Sequence, residues 1–326
     1  MEYFYKCPIK SFKSKYKNDV YHPCIRFIEK GFGGHQWWMV QTPFYKSDDR
    51  IENPLLFYSD STVYNGRIVP KEWVLFDIVK DTPEGGGYNS DPYLYIENDK
   101  LIVLWREFKT LRVKKLGFCS AIFMVSYDKL LNKSIDTFIM GNKSNRYLND
   151  LSPILIKENT QYNLLTISYD IDYNFSRKFR KLLGFFLSGS CKRKIQREHV
   201  NGIISHINHK LFSPFIYNKM ILFENTSRRN PWHFDIISYR NHNLLLIYDL
   251  NNEKEIYIAY PNKGAYTIRK QPILRNIQQY AGIYKPTGVV FDNELLLFHT
   301  ACTSTIDIYK HELWISTVDL TNLQLK

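Results

Sequence analysis

Five times in the 326 residues a short opener is followed by one apolar strand, a turn and a second apolar strand. The openers are His22-Pro23, Asp91-Pro92, Ser152-Pro153, Trp232-His233 and Pro286-Thr287. The second strands are Trp37–Val40, Leu101–Trp105, Leu164–Ile167, Leu244–Tyr248 and Leu295–Phe298. Successive openers are 69, 61, 80 and 54 residues apart. Steps so uneven exclude a tight solenoid and suit the blades of a β-propeller joined by loops of different length. A propeller gathers the first residue of every innermost strand around one axial funnel, so the openers become candidates for a single site.

The fold class expected is therefore all-β, a five-bladed propeller whose ring buries one continuous core, with residues 1–326 as a single domain. Composition agrees: 44% of residues are hydrophobic and 16% aromatic, with 24 Tyr and 21 Phe, a usage that favours strands over helices. No apolar run reaches the ~20 residues of a membrane-spanning helix, and the N-terminal stretch lacks the apolar centre of a secretory signal, so the expected compartment is the cytoplasm. The five cysteines are widely spaced and form no CxxC, which argues against a disulfide framework and a zinc site. A net charge of +12 draws acidic partners in general, among them anionic sugars, nucleic acid and membrane surfaces, and selects none of them.

Residues 1–20 are placed as a strand that closes the ring. Gly31, Gly33 and Gly34 suit a tight turn inside the first blade, and Pro83 to Gly87 read as a loop returning the chain to the axis at Asn89-Ser90-Asp91. Between the third and fourth blades, residues 176–199 interleave Arg and Lys with Leu182, Leu183, Phe185, Phe186 and Leu187. That segment reads either as an amphipathic helix suited to an anionic membrane surface or as an insertion that caps the propeller with its charges in water.

The segments His22-Pro23-Cys24-Ile25, Glu52-Asn53-Pro54, Asn89-Ser90-Asp91-Pro92-Tyr93-Leu94, Trp105-Arg106-Glu107 and Trp232-His233-Phe234-Asp235 resemble those of the five-bladed propeller superfamily of glycoside hydrolase family 43 and its relatives in families 32, 62, 68, 117 and 130. In that superfamily an Asp at the first opener serves as general base, an Asp at a later opener orients and tunes the acid, and a Glu is the general acid. The resemblance implies the tuning role for Asp91. It meets a departure at the first opener, where His22 replaces Asp, and at the third, where Asp150 and Ser152 flank the place of the expected Glu.

Glycoside hydrolysis needs two ionisable groups across the scissile bond, one to protonate the leaving oxygen and one to activate water or attack carbon. Asp91 is the leading catalytic candidate; the alternative is a turn cap. Glu52, where the chain returns from a charged loop, reads as a replacement for the missing base or as a loop carboxylate in water. His233, between two aromatic residues, has its charged form disfavoured and would make a proton donor near neutral pH, with Asp235 two residues on pointing the same way; the resemblance adds that family 117 enzymes are thought to use a histidine as acid. Substrate contacts are expected from His22, Trp38, Arg106, Glu107, Asp150, Asp235 and His299. Arg106 and Glu107 are neighbours on a strand, so only one of them can face the funnel. Trp37, Trp38 and Tyr93 serve either to stack a sugar ring or to pack the core. His22, His35 and His299 have no recognised ligand spacing, so no metal or other cofactor is expected.

The function expected is a glycoside hydrolase-like activity on a glycosidic bond of a poly- or oligosaccharide held in the axial funnel. Two other classes remain: a carbohydrate-binding propeller without catalysis, and a basic scaffold for an anionic membrane or polymer engaged through residues 176–199. Carbohydrate, in an anionic form among others, is the expected partner, and no specific nucleic acid is.

Overall fold

The computed structural model describes the chain apart from residues 1–3, 11–18, 46–47, 98, 144–150, 172–197, 225–230, 250–254, 276–279, 306–307 and 324–326. The expected site residue Asp150 and the basic segment 176–199, up to residue 197, lie outside the described residues.

A two-residue strand, β1 (Tyr5–Lys6), comes first. The first full sheet contains β2 (Cys24–Phe32), β3 (His35–Gln41) and β4 (Leu55–Ser59). The hairpin β5 (Ser61–Tyr64) and β6 (Arg67–Pro70) then leads to the outer strand β7 (Val74–Ile78). The second sheet is β8 (Tyr88–Glu97), β9 (Lys100–Phe108), β10 (Ser120–Tyr127) and β11 (Thr137–Asn142), with a short helix α1 (Leu111–Lys115) before β10. The third is β12 (Leu151–Glu158), β13 (Gln161–Ile171), β14 (Glu198–Asn208) and β15 (Ile216–Glu224). The fourth is β16 (Pro231–Tyr239), β17 (His242–Asp249), β18 (Glu255–Asn262) and β19 (Ala265–Ile268), with the short β20 (Leu274–Arg275) added to β18. The fifth is β21 (Gly282–Phe291), β22 (Glu294–Thr305) and β23 (Ile308–Asp319), and its outer edge is filled by β1. Pairing of Tyr5 with Ile315 and of Lys6 with Trp314 is the closure expected of residues 1–20.

Within each blade the strands are antiparallel neighbours, a short parallel pairing of β15 with β19 joins the outer edges of the third and fourth blades, and the five inner strands β2, β8, β12, β16 and β21 touch one another in a closed ring. This is the five-bladed propeller. The second strands explain themselves: Trp37 to Val40, Leu101 to Trp105 and Leu244 to Leu246 are fully buried or nearly so because each is flanked by strands within its blade and covered by a blade on either face. A strand buried on both faces reads as an unbroken apolar run rather than an alternation. Blade stacking is close enough that a Cβ on Gly288 would stand 2.6 Å from Leu295 and 2.9 Å from Leu246.

The openers have their own backbone signature. Register shifts interrupt the first ladder between Ser90 and Tyr93, Leu151 and Ile154, Pro231 and His233, and Tyr284 and Thr287. Each is a bulge that takes one residue, Trp232, or two, Asp91-Pro92, Ser152-Pro153 and Lys285-Pro286, out of the ladder and re-aims the side chains there. Asp91 and Ser152, both before proline, sit at φ of 50° and 49°, a left-handed conformation that costs a non-glycine residue ~1–3 kcal/mol and is held only by its surroundings. No helix among the described residues is long and apolar enough to cross a membrane. Cys7, Cys24, Cys119 and Cys302 are free thiols.

Candidate active site

The openers bring His22, Asp91, Ser152 and His233 together: Asp91 and Ser152 lie in bulges, His233 pairs with Tyr248 directly after one, and His22 stands just before β2. His22 is buried, with Nδ1 2.8 Å from Glu52 Oε1 and 3.0 Å from Thr42 Oγ1, while its Nε2 has no hydrogen-bond partner. Glu52 arrives from a one-turn 3₁₀ helix, Asp49 to Ile51, that Asp48 caps by accepting from the Arg50 amide. The turn places Glu52 inside the protein, only 6% exposed, rather than in the solvated loop.

Asp91 presents its two oxygens differently. Oδ2 accepts from Ser90 Oγ at 2.9 Å and from Arg106 Nη2 at 3.1 Å. Oδ1 has no hydrogen-bond partner and stands 3.5 Å from His233 Nδ1. Arg106 also donates to Ser90 Oγ and the Tyr88 hydroxyl, so its guanidinium positions Asp91. His233 is held on both sides, by Ser152 Oγ at 2.6 Å from Nδ1 and by the Tyr284 hydroxyl at Nε2. The rings of His22 and His233 lie 5.0 Å apart. Tyr284 stacks on Tyr21 at 4.6 Å, and Tyr21 on Phe44 at 4.4 Å, forming an aromatic wall beside the histidines.

Burial sets the protonation of this cluster. It pushes the His22 imidazole well below the ordinary histidine range and that of His233 down to about 3, so both rings are neutral at physiological pH. Burial, reinforced by the Asp91 charge, pushes Glu52 well above the usual carboxylate range. Burial would raise Asp91 too, but Arg106 and the other basic groups around it outweigh that and hold it low. Lys285, from the inner strand of the fifth blade, donates to the Pro92 carbonyl at 3.4 Å and is lowered by burial. The cluster therefore sets a carboxyl that holds its proton more tightly than usual beside one that releases it readily, with two imidazoles whose charged form is disfavoured.

Of the residues singled out in the sequence, His22, Glu52, Asp91, Arg106 and His233 come together here. Four others do not. Trp38 is wholly buried between blades, its indole donating to the Phe32 carbonyl at 3.2 Å, because an aromatic residue on a two-sided buried strand is core. His299, on β22, is likewise core, 3.0 Å from Ser316 Oγ. Glu107 points away from Arg106, accepts from Trp105 Nε1 and Thr110 Oγ1, and borders a separate surface cavity beside Arg112. Asp235 is taken by Arg26 through two hydrogen bonds, at 2.8 and 2.9 Å, and by Thr287, an ion pair between inner strands of different blades. The trio His22, His35 and His299 does not assemble either, since His35 pairs with Asp60 at the surface of the first blade. Sequence reasoning passed over Lys285 and Tyr284. Lys285 precedes Pro286 as Asp91 precedes Pro92, and that repeated pre-proline position was the available signal.

No family model matches the sequence, and no curated relative matches it. Solved structures do share the fold. An N-acetylgalactosamine deacetylase from F. plautii, solved with blood group B trisaccharide, superposes with a TM-score of 0.69 at 11% identity over 97% of this chain and 94% of that one. A xylan β-1,4-xylosidase from Bacillus halodurans C-125 gives 0.64 at 13% identity over 94% of this chain and 54% of that one. The Bacteroides ovatus protein described as Xyloglucan PUL GH43B gives 0.60 at 11% identity, over 92% and 52%. The architecture is that of the family 43 propellers, as the opener segments led one to expect.

Proposed function

We propose that the chain is a carbohydrate-active hydrolase that cleaves a glycosidic bond of a poly- or oligosaccharide in its axial funnel. One observation carries this reading: two buried carboxyl groups from different blades, Glu52 and Asp91, are brought to the same histidine-lined cluster by dedicated backbone features, a capped 3₁₀ turn for one and a strained bulge for the other. In this reading Glu52, which keeps its proton, delivers it to the leaving oxygen, and ionised Asp91 stabilises the positive charge that develops on the sugar ring. The aromatic wall of Tyr21 and Tyr284 supports the sugar, and Arg106 and Ser90 hold Asp91 in place. The carbohydrate named for the F. plautii structure and the polysaccharide bond named for the xylosidase are the substrate classes with which to begin.

The test is turnover on a panel of aryl glycosides and glycans with Asp91→Asn and Glu52→Gln. The expected result is retained fold with a loss on the order of 10²- to 10⁴-fold in each variant. Full activity in Asp91→Asn removes the assignment.

A second reading is favoured by His22, an imidazole where the hydrolases carry their basic carboxylate. Removal of an acyl group from a substituted sugar needs an activated water near a carbonyl rather than two carboxyl groups across a glycosidic bond. Acetate release from an N-acetylgalactosamine-containing glycan, with no cleavage of the chain, distinguishes the two.

A further inference from the structure

We propose that His22, Asp91 and His233 form the binding site of a single divalent transition-metal cation at the centre of the axial cluster. One ligand atom from each lies within 4.8 Å of the other two, and all three side chains are buried. Bonds near 2 Å put ligand atoms ~3–4 Å apart, so a cation bonded to all three would draw the side chains slightly closer than they stand here.

Two of the three present an atom with nothing to bind. His22 Nε2 and Asp91 Oδ1 are buried without a hydrogen-bond partner, and an orphaned buried polar atom in a folded protein calls for an explanation. A cation accounts for both at once. It also accounts for how the other side of each group is held. His22 Nδ1 rests against Glu52 and Thr42; with a cation on Nε2, Nδ1 carries the ring proton and Glu52 accepts it as the ionised carboxylate, which fixes the histidine's orientation and tautomer. Asp91 Oδ2 is secured by Ser90 and Arg106, leaving Oδ1 to point inward. His233 is oriented by Ser152 and Tyr284, one of which must yield its nitrogen.

The donor set selects the ion. Two imidazoles and one carboxylate suit zinc, manganese or iron(II), whereas calcium and magnesium favour oxygen ligands. Arg106 and Lys285 stand nearby and oppose any cation, which further favours an ion with a strong bond to imidazole. Three protein ligands leave positions open for water and for a substrate oxygen. A cation there would polarise a carbonyl or acidify a bound water. The inference goes beyond the hydrolytic reading, because cation binding stands or falls whichever saccharide bond is cut.

The experiment uses the whole chain, stripped with EDTA and dialysed against zinc, manganese or calcium chloride, with metal content read by mass spectrometry and thermal stability by fluorimetry. Expected is one zinc or manganese ion per chain, with a raised Tm, and no comparable uptake of calcium. His233→Gln and Asp91→Asn, checked for fold by circular dichroism, should lose that ion, while His35→Gln should keep it. Glu52→Gln should weaken affinity ~10- to 100-fold while leaving the three ligands intact. Substoichiometric metal in the wild type, or full occupancy in His233→Gln, overturns the proposal. Should those variants not fold, cobalt(II) added to the stripped wild type decides: visible bands of a bound nitrogen-ligated ion support the site, and the spectrum of the aqueous ion defeats it.

Discussion

Asn89 Nδ2 donates to Asn53 Oδ1 at 2.6 Å, so the Asn-Ser-Asp-Pro and Glu-Asn-Pro segments, 36 residues apart in sequence, are joined by a single buried hydrogen bond. The same Asn89 nitrogen reaches the Asp81 carbonyl at 3.0 Å, and Asn53 Nδ2 reaches the Arg50 carbonyl at 3.2 Å. Each asparagine precedes a cluster carboxylate or lies within two residues of one, so the amide bridge sets the separation of Glu52 from Asp91. Asn89→Ala strands the Asn53 oxygen and is expected to cost ~1–3 kcal/mol, the penalty of an unsatisfied buried acceptor. Urea unfolding measures it; an unchanged midpoint would show that the bridge carries no weight.

Arg26 and Asp235 form the other buried tie, between the first and fourth blades, with the Arg26 guanidinium also lying over the Tyr93 ring at 4.9 Å. Asp235→Ala leaves the guanidinium without its partner in a site where the aspartate was 2% exposed, and a loss of about 3 kcal/mol is expected. If Asp235 instead contacted sugar, the variant would keep its stability and lose ligand affinity. Denaturation and glycan binding measured on the same sample separate the two outcomes.

His311 and Asp19 give the ring closure a pH dependence. Asp19 accepts from the His311 amide at 2.7 Å and from the Phe44 amide at 2.7 Å, and lies 3.2 Å from His311 Nδ1. Burial would lower the imidazole, but the hydrogen bond and charge of Asp19 outweigh it and raise His311 to about 9. A folded value above the unfolded ~6.5 means stability fully present below about pH 6.5 and lost as pH climbs through about 9, at most about 3 kcal/mol. Wild type should therefore unfold at lower urea at pH 9.5 than at pH 6, and His311→Asn should flatten that difference. The same slope in both proteins would put its origin elsewhere.

The sequence disclosed the fold through its second strands, whose apolar runs require cover on both faces, and the cluster through the pre-proline openers. Three of its misplacements share one cause. Trp38, His299 and Glu107 lie on strands packed on both sides, where alternation tells one face from the other but not which face meets the axis and which meets a neighbouring blade. Asp235 fails for a different reason: it follows His233 by two residues along the inner strand, and only the fold reveals that Arg26 from another blade already occupies it. Glu52 was legible as a funnel carboxylate only as one of two readings, because the turn that buries it is set by a single side-chain cap at Asp48.

At Gly288 the inner strand of the fifth blade packs closely against the fourth blade. The residue lies on β21 three positions after Lys285, and a Cβ there would meet Leu295 and Leu246 side-chain carbons at 2.6 and 2.9 Å, with Ile237 at 3.4 Å. Those carbons belong to buried leucines of the fifth and fourth blades, 0% exposed, which have no room to withdraw. Gly288→Val should force β21 away from the fourth blade and cost ~1–3 kcal/mol by overpacking. Since Tyr284 and Lys285 ride on the same strand, the shift should also disturb the contact of Tyr284 with His233. Gly288→Val is thus expected to lower both the unfolding midpoint and turnover, whereas Gly264→Val, at an open turn where a Cβ meets nothing within 4 Å, should leave turnover alone and affect stability only through its positive φ of 84°. Equal turnover in the two variants would show that blade contact at Gly288 does not reach the cluster.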